Sequence, residues 1–310
     1  MCNSFHHVPV LFHEVMQWLQ PTEEGTYVDG TLGGGGHTEG ILRLGGTVYG
    51  IDRDPTAIAS TCERLKDYPK FHAIHGNFHE AKALLQGVPA LQGALVDLGV
   101  SSHQLDTAER GFSYHADAPL DMRMDTTQTT TAADYLATLS EAECKRILWD
   151  YGEEKWAARI AQILVQKRAE KPILTTGDLV HVVDCAIPKA VRRKDDSHPA
   201  RRVFQAVRIA LNDELDPLKT ALTDMRGLLA DGGRLLVITF HSLEDRIVKN
   251  TFRNWQNPCV CPPKAPICTC GQKSFGKVLG GGAIKPTKEE VAENTRARSA
   301  ILRVFERRMI

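Results

Sequence analysis

Residues Asp29-Gly30-Thr31-Leu32-Gly33-Gly34-Gly35-Gly36-His37 set a carboxylate at the entrance of a glycine run. The chemistry of such a run is mainly backbone chemistry, because without a Cβ the chain can turn sharply and bring its amides against a ligand. A glycine run alone is a weak signal and also describes an ordinary tight turn, so the flanking residues decide. Asp52 closes the strand-like segment Thr47–Ile51 about sixteen residues past the last glycine, where a carboxylate can accept both hydroxyls of a ribose. Asp29 would repel a pyrophosphate but favour the ammonium and sulfonium of S-adenosylmethionine. That argues against a dinucleotide-dependent dehydrogenase. No Lys follows the glycines, which excludes a Walker A loop.

A second polar cluster follows the apolar run Ala94-Leu95-Val96. Asp97-Leu98-Gly99-Val100-Ser101-Ser102, with Gln104 beyond, lies where open α/β sheets hold ligands and reacting groups. Asp97, Ser101 and Ser102 are the candidate catalytic groups of this reacting centre. Standing alone, Asp97 would read as a helix cap. A third cluster, Thr239-Phe240-His241-Ser242-Leu243-Glu244-Asp245-Arg246, supplies polar groups to the same predicted sheet edge. Ser242 to Arg246 reads equally as the first turn of a helix, and His241 suits a structural role as well as a functional one.

Two further groupings could bind something. Cys259-Val260-Cys261 and Cys268-Thr269-Cys270, stiffened by Pro262, Pro263 and Pro266, offer four soft ligands for a tetrahedral structural Zn²⁺. The alternative is four reduced thiols in a surface loop. The other cysteines, Cys2, Cys62, Cys144 and Cys185, are scattered, so the clustering favours metal ligation over a disulfide framework. From Lys189 to Arg208, the cations Lys189, Arg192, Arg193, Lys194, Arg201, Arg202 and Arg208 face only Asp195 and Asp196. Such a run can follow a phosphate backbone, with Phe204 as a stacking face for a base. A solvated face is its commoner meaning.

The elements that must position these groups follow from periodicity. From Tyr27 to Gly99, short apolar runs alternate with helical stretches, with helices expected to about Leu44, over Pro55–Leu65 and over His79–Leu85. Asp54-Pro55 forms a good helix entry. This half reads as a doubly wound, mostly parallel α/β sheet. After Ser102 no strand is expected until Gly233–Thr239, too long a gap for a loop. It should hold a small helical domain, with Glu143 at capping-box spacing from Ser140 and helices over Ala157–Ala169 and Thr176–Val183. Ala300–Phe305 alternates as a returning strand. The expected division is residues 1–106 with 206–310 as a discontinuous α/β domain, and 107–205 as an inserted helical domain.

With 38 Lys plus Arg against 38 Asp plus Glu, the chain as a whole carries no electrostatic instruction, so a nucleic-acid footprint must be local. The 42% hydrophobic content of these 310 residues supports a sizeable core. No apolar stretch reaches bilayer-spanning length and the first residues lack a signal-like pattern, so a cytoplasmic protein without membrane contact is expected.

The segments Asp29–His37, Ile51–Asp54, Leu95–Gln104, Glu109–Ser113, Pro119–Met124, Phe204–Ile209 and Phe240–Arg246 together closely resemble the bacterial RsmH (MraW) family over nearly the whole chain. Its members are S-adenosylmethionine-dependent 16S rRNA cytosine-N4 methyltransferases. The resemblance implies a class I, Rossmann-like methyltransferase fold and N4-methylation of a cytidine in the decoding centre of 16S rRNA, within the small ribosomal subunit. It implies RNA recognition by the inserted domain. The family's cofactor contacts carry over onto Gly35, Gly36, His37, Asp52, Phe78, Asp97 and Gln104. Asp97 would then be a cofactor ligand, leaving Ser101, Ser102 and backbone groups as proton acceptors. Thr38, His103, Tyr114 and Thr295 depart from the family's usual Ser, Pro, Phe and Pro. Only His103 is close to the site, and it loosens an expectation of a rigid turn before Gln104. The cysteine loop does not carry over as a general family metal site. Two alternatives stand beside this reading. A DNA amino-methyltransferase would usually carry a Pro-Pro-aromatic run where Leu98-Gly99-Val100 stands, and a non-catalytic RNA-binding or ribosome-assembly protein would bind without transferring a methyl group.

Overall fold

The computed structural model describes residues 9–192, 198–262, 267 and 269–308. Seven strands, β1 (Thr26–Asp29), β2 (Thr47–Asp52), β3 (Phe71–His75), β4 (Leu91–Asp97), β5 (Leu229–Thr239), β6 (Gly276–Ile284) and β7 (Ile301–Arg307), form one sheet in the order β3-β2-β1-β4-β5-β7-β6. From β3 to β5 every pairing is parallel. β7 runs antiparallel to both of its neighbours, so it alone reverses direction. This is the Rossmann-like arrangement of class I methyltransferases.

Burial on both faces explains why the central strands read as continuous apolar runs. Tyr27 and Val28 of β1 and Ala94, Leu95 and Val96 of β4 are at most 1% exposed. Chain order switches at β1, which pairs β2 on one side and β4 on the other, the position at which open α/β sheets bind ligands. The register sets Asp29 beside Gly50 and Leu95, and Asp97 beside Ile238, which gathers the carboxyl ends of four strands at one edge. The helices Gly36–Arg43 and Pro55–Arg64 follow the first two strands as expected. The second starts at its predicted cap, with Asp54 Oδ1 accepting the Thr56 N–H at 3.0 Å, an interaction worth about 1 kcal/mol.

β6 is absent from the sequence reading. Gly280, Gly281 and Gly282 all take positive φ and the register slips between Leu279 and Ile284, so the alternation that marks a strand is broken there. β5 also starts four residues earlier than expected, at Leu229.

The chain divides into two compact units, residues 1–99 with 215–310, and residues 100–214. The boundaries lie at 99/100 and 214/215, not at 106/107 and 205/206. The helix Ala200–Asn212 explains the second difference. Its apolar face, including Val203, Phe204 and Val207, belongs to the core of the 100–214 unit, and a cut at 205 would split it. Val100 and Leu105 join the same core, which explains the first. Asn212 fixes the end of that helix by donating to the Met122 carbonyl at 2.9 Å and accepting the Met124 N–H at 2.8 Å. The expected capping box is present, with Ser140 Oγ accepting the Glu143 N–H and the Glu143 carboxylate accepting the Ser140 N–H at 2.8 Å. The helices Ala157–Glu170 and Thr176–Ala186 follow. Among the described residues, no helix is long and apolar enough to cross a membrane.

Candidate active site

The glycine loop is fixed by the chain's own groups. The Gly30 N–H donates to the Leu95 carbonyl at 2.8 Å and the Leu32 N–H to the Ile51 carbonyl at 2.9 Å, tying the loop to β4 and β2. Asp52 Oδ2 accepts the Gly33 N–H at 2.7 Å. From the helix Pro55–Arg64, the Thr61 hydroxyl donates to the Gly33 carbonyl at 2.8 Å and the Arg64 guanidinium to the Gly34 carbonyl at 2.5 Å. Arg64 also pairs with Glu39. Gly35 sits at φ +70°, where a Cβ would lie 2.5 Å from the Thr61 methyl, and a Cβ on Gly36 would run into the Pro9 ring. At Gly34 a Cβ would meet nothing within 4 Å. The loop thus packs tightly on the protein side and keeps an open face at Gly34.

His37, in the first turn of the helix Gly36–Arg43, is only 6% exposed. Its ring stacks on Phe12 with centroids 6.1 Å apart. Burial pushes its pKa down to about 4, against a weak compensating contact with the Val10 backbone, so the ring is neutral. What His37 can offer a ligand is its backbone amide, which lacks an intrahelical partner in that turn. Phe78 is buried at the start of the 3₁₀ turn Phe78–Glu80 and lies against Gly30, as part of the wall beside the loop.

Four carboxylates share this edge. Asp29, 2% exposed, accepts from the Thr38 hydroxyl at 2.8 Å and the Thr31 N–H at 3.2 Å. Burial still raises its pKa to about 6, with the negative charge of Asp52 adding to the rise. Asp52 accepts the Gly33 and Asp54 N–H groups, the latter at 2.8 Å, and is raised by burial against these bonds. The Asp97 N–H donates to the Thr31 hydroxyl oxygen at 2.6 Å, while Asp97 Oδ1 is buried with no hydrogen-bond partner among the described residues. Burial drives the Asp97 pKa well above the usual carboxylate range, and the charges of Asp29 and Glu244 drive it further. Glu244, 2% exposed, accepts the backbone N–H groups of Phe240 and His241. Among the described residues, no cationic side chain is among the groups acting on Asp29 or Asp97. A ligand bearing positive charge near its reacting centre answers this unbalanced field, as do a sulfonium and an ammonium.

Residues 4–308 match the MraW methylase family. The chain belongs to it. The methylase is 48% identical over 306 residues to Ribosomal RNA small subunit methyltransferase H of Symbiobacterium thermophilum, an alignment covering 97% of this chain and 96% of that protein. It is 49% identical over 314 residues to the protein of the same name from Geotalea uraniireducens, covering 98% and 99%. It is an S-adenosylmethionine-dependent methyltransferase, and the acid-lined, open-faced loop fits that cofactor.

Of the residues the sequence singles out, Gly35, Gly36, His37, Asp52, Phe78 and Asp97 stand in the sheet-containing unit of the methylase. Ser101, Ser102 and Gln104 stand in the 100–214 unit. There Ser101 caps the helix Ser102–Asp106. Its Oγ accepts the Gln104 N–H at 3.2 Å and Gln104 Oε1 accepts the Ser101 N–H at 3.0 Å. This reciprocal pair holds the turn around His103. In the other unit, Ser242 begins the helix Ser242–Gln256 with His241 as its cap, so Ser242 to Arg246 form the first turn of a helix.

Two expectations need correction. Phe204 is 4% exposed and packs edge-on to Tyr114 with centroids 5.8 Å apart, so it presents no face to a base. The basic run is partly neutralised within its own unit. Arg192 pairs with Asp184, Arg202 with the fully buried Glu154 at 2.6 Å, and Arg208 with Glu214 at 2.8 Å. Lys189 and Arg201 are exposed, whereas Arg193 and Lys194 lie outside the described residues. Sequence reasoning missed Thr61 and Arg64. Their spacing of three on a predicted helix is the available signal, since it puts both on one face.

Proposed function

We propose that this methylase transfers the methyl group of S-adenosylmethionine to the exocyclic N4 amine of a cytidine in the decoding centre of 16S rRNA, with the small ribosomal subunit as substrate. The names of its close relatives support an rRNA substrate. The observation that carries the chemistry is the buried, unpartnered Oδ1 of Asp97 at the carboxyl end of β4, beside a glycine loop with one open face. The cofactor supplies an electrophilic methyl group on a sulfonium. Asp29 and Asp97 would hold the positive charge, Asp52 has lone pairs left that would serve ribose hydroxyls, and the open backbone at Gly34 would admit close approach.

Cytosine N4 is a weak nucleophile because its lone pair is delocalised into the ring, so alignment supplies most of the rate. An amine that took up the methyl group would have to lose one proton, and the unpartnered Oδ1 of Asp97 would be placed to accept it. Ser101, Ser102 and backbone carbonyls are the alternative acceptors, although Ser101 already accepts a hydrogen bond as a cap. RNA recognition falls to the 100–214 unit, as the family resemblance implies, with Lys189 and Arg201 as exposed cations.

The test is transfer of labelled methyl from S-adenosylmethionine to small subunits lacking the modification, followed by nucleoside analysis. Label recovered as N4-methylcytidine is the expected result. Label on another base would overturn the N4 assignment, and cofactor binding without any label would favour a non-catalytic RNA-binding protein. Asp97→Asn separates the two roles of that residue. If cofactor affinity is retained and turnover lost, Asp97 is the acceptor; if cofactor binding itself is lost, it is a ligand.

A further inference from the structure

We propose that Cys259, Cys261 and Cys270 hold a structural zinc ion that closes the loop between the helix Ser242–Gln256 and β6. The three sulfurs lie within 4.8 Å of one another. The separation of Cys259 Sγ and Cys270 Sγ is 3.7 Å. Two thiolates on a tetrahedral zinc with bonds of about 2.3 Å stand about 3.8 Å apart, whereas a disulfide would bring them to about 2 Å. The spacing rules out a covalent bridge and suits either a thiol–thiol contact or a shared ion. The Thr269 N–H points at Cys261 Sγ from 3.4 Å, the kind of outer contact that orients a ligating thiolate. Cys268, the remaining cysteine of the sequence cluster, lies outside the described residues.

The loop itself supplies a second, independent reason. None of the described residues between Gln256 and Gly276 is buried, and no helix or strand is assigned among them. Its ends are drawn together, with the Phe275 N–H donating to the Trp255 carbonyl at 2.9 Å and the Arg226 guanidinium over both Trp255 and Phe275, at 4.7 and 3.9 Å from the ring centroids. Beyond that clasp the described residues of the loop are all exposed or half-buried. Connections of this length without structure of their own are uncommon in compact domains, and an ion that ties Cys259 and Cys261 to Cys270 provides the constraint that burial does not. Thiolates, which are soft ligands, select zinc or iron in tetrahedral geometry. The site needs no redox chemistry. Each thiol loses its proton to solvent as its sulfur binds, and the ion offsets the thiolate charge.

The test uses the full chain purified with neither added metal nor chelator. Elemental analysis should find about one zinc per chain, and Cys259→Ser and Cys270→Ser should each lower it at least severalfold. Stripping the metal should speed proteolytic cleavage between residues 257 and 275 about tenfold or more, with protection restored by added zinc. Three results would each overturn the proposal: a wild-type chain that carries no zinc and takes up none, iron in place of zinc, or a mass showing that two of these cysteines are joined as a disulfide. Every readout is independent of methyl transfer, so the proposal stands or falls apart from the substrate reading.

Discussion

The glycine loop and the cysteine loop are both stretches of irregular chain, and they obtain order in opposite ways. In the first, the Gly33 N–H, the Gly33 carbonyl and the Gly34 carbonyl are each held by a side chain from β2 or from the helix that follows it. Added side chains are excluded at Gly35 and Gly36. The second has a clasp at its base and no buried residue along its described length. A loop ordered from within is ready before its ligand arrives, which lowers the cost of binding. A loop ordered by an ion is folded only as far as the ion is bound. The contrast teaches that a glycine run and a cysteine run make different demands on the rest of the chain.

The strongest way to break this comparison is to spoil the preformed loop. Gly35→Val forces a β-branched residue into positive φ against Thr61 and should cost about 2–4 kcal/mol of stability, with cofactor affinity down about 100-fold by calorimetry. Gly34→Ala should leave the unfolding midpoint unchanged while weakening cofactor binding about tenfold. Equal losses of stability in the two variants would show that the open face does not exist.

A smaller effect follows from Asp29. Its folded-state pKa of about 6 lies above the model-compound value of 3.8, so the ligand-free fold binds a proton that the unfolded chain has already released. Stability of the ligand-free protein should therefore fall as pH rises from about 4 to 6. A cationic cofactor favours the ionised form, so its affinity should rise over the same interval and level off above it. Asp29→Asn should flatten both profiles, as followed by thermal unfolding with and without cofactor. Arg64→Ala, which removes one clamp on the Gly34 carbonyl, should weaken cofactor binding about fivefold. The smallest change is expected from chelation, which should alter cofactor affinity by less than about twofold because the cysteine loop supplies none of the glycine-loop contacts.

Much of this architecture is legible in the sequence because buried parallel strands and capped helices leave local marks. Val28, Leu95 and Val96 declare a sheet interior, and Asp54-Pro55 and Ser140 with Glu143 declare helix starts. The two misreadings have separate causes. A charge run along the chain does not reveal its partners, and Asp184, Glu154 and Glu214 meet Arg192, Arg202 and Arg208 only after folding. Phe204 could have been read correctly, since its apolar neighbours Val203 and Val207 mark the core face of one helix. The glycine loop and the acids at the strand ends were legible as residue types. The raised pKa of Asp29 and the unpartnered oxygen of Asp97 were not, because they depend on burial and on which strand ends lie together.

The parallel pairing of β4 with β5 joins Asp97 to Ile238 across the whole of residues 100–214. Local contacts form fast and distant pairings late, and domains fold as units while a chain is being made. During synthesis, β4 stands as the open edge of a four-stranded half-sheet until the inserted unit has emerged. An open edge is a template for mispairing. The contiguous helical unit, with a core of its own, can fold during that wait without borrowing from the sheet. A chain halted before Leu229 would thus carry the glycine loop and Asp97 on an unfinished sheet.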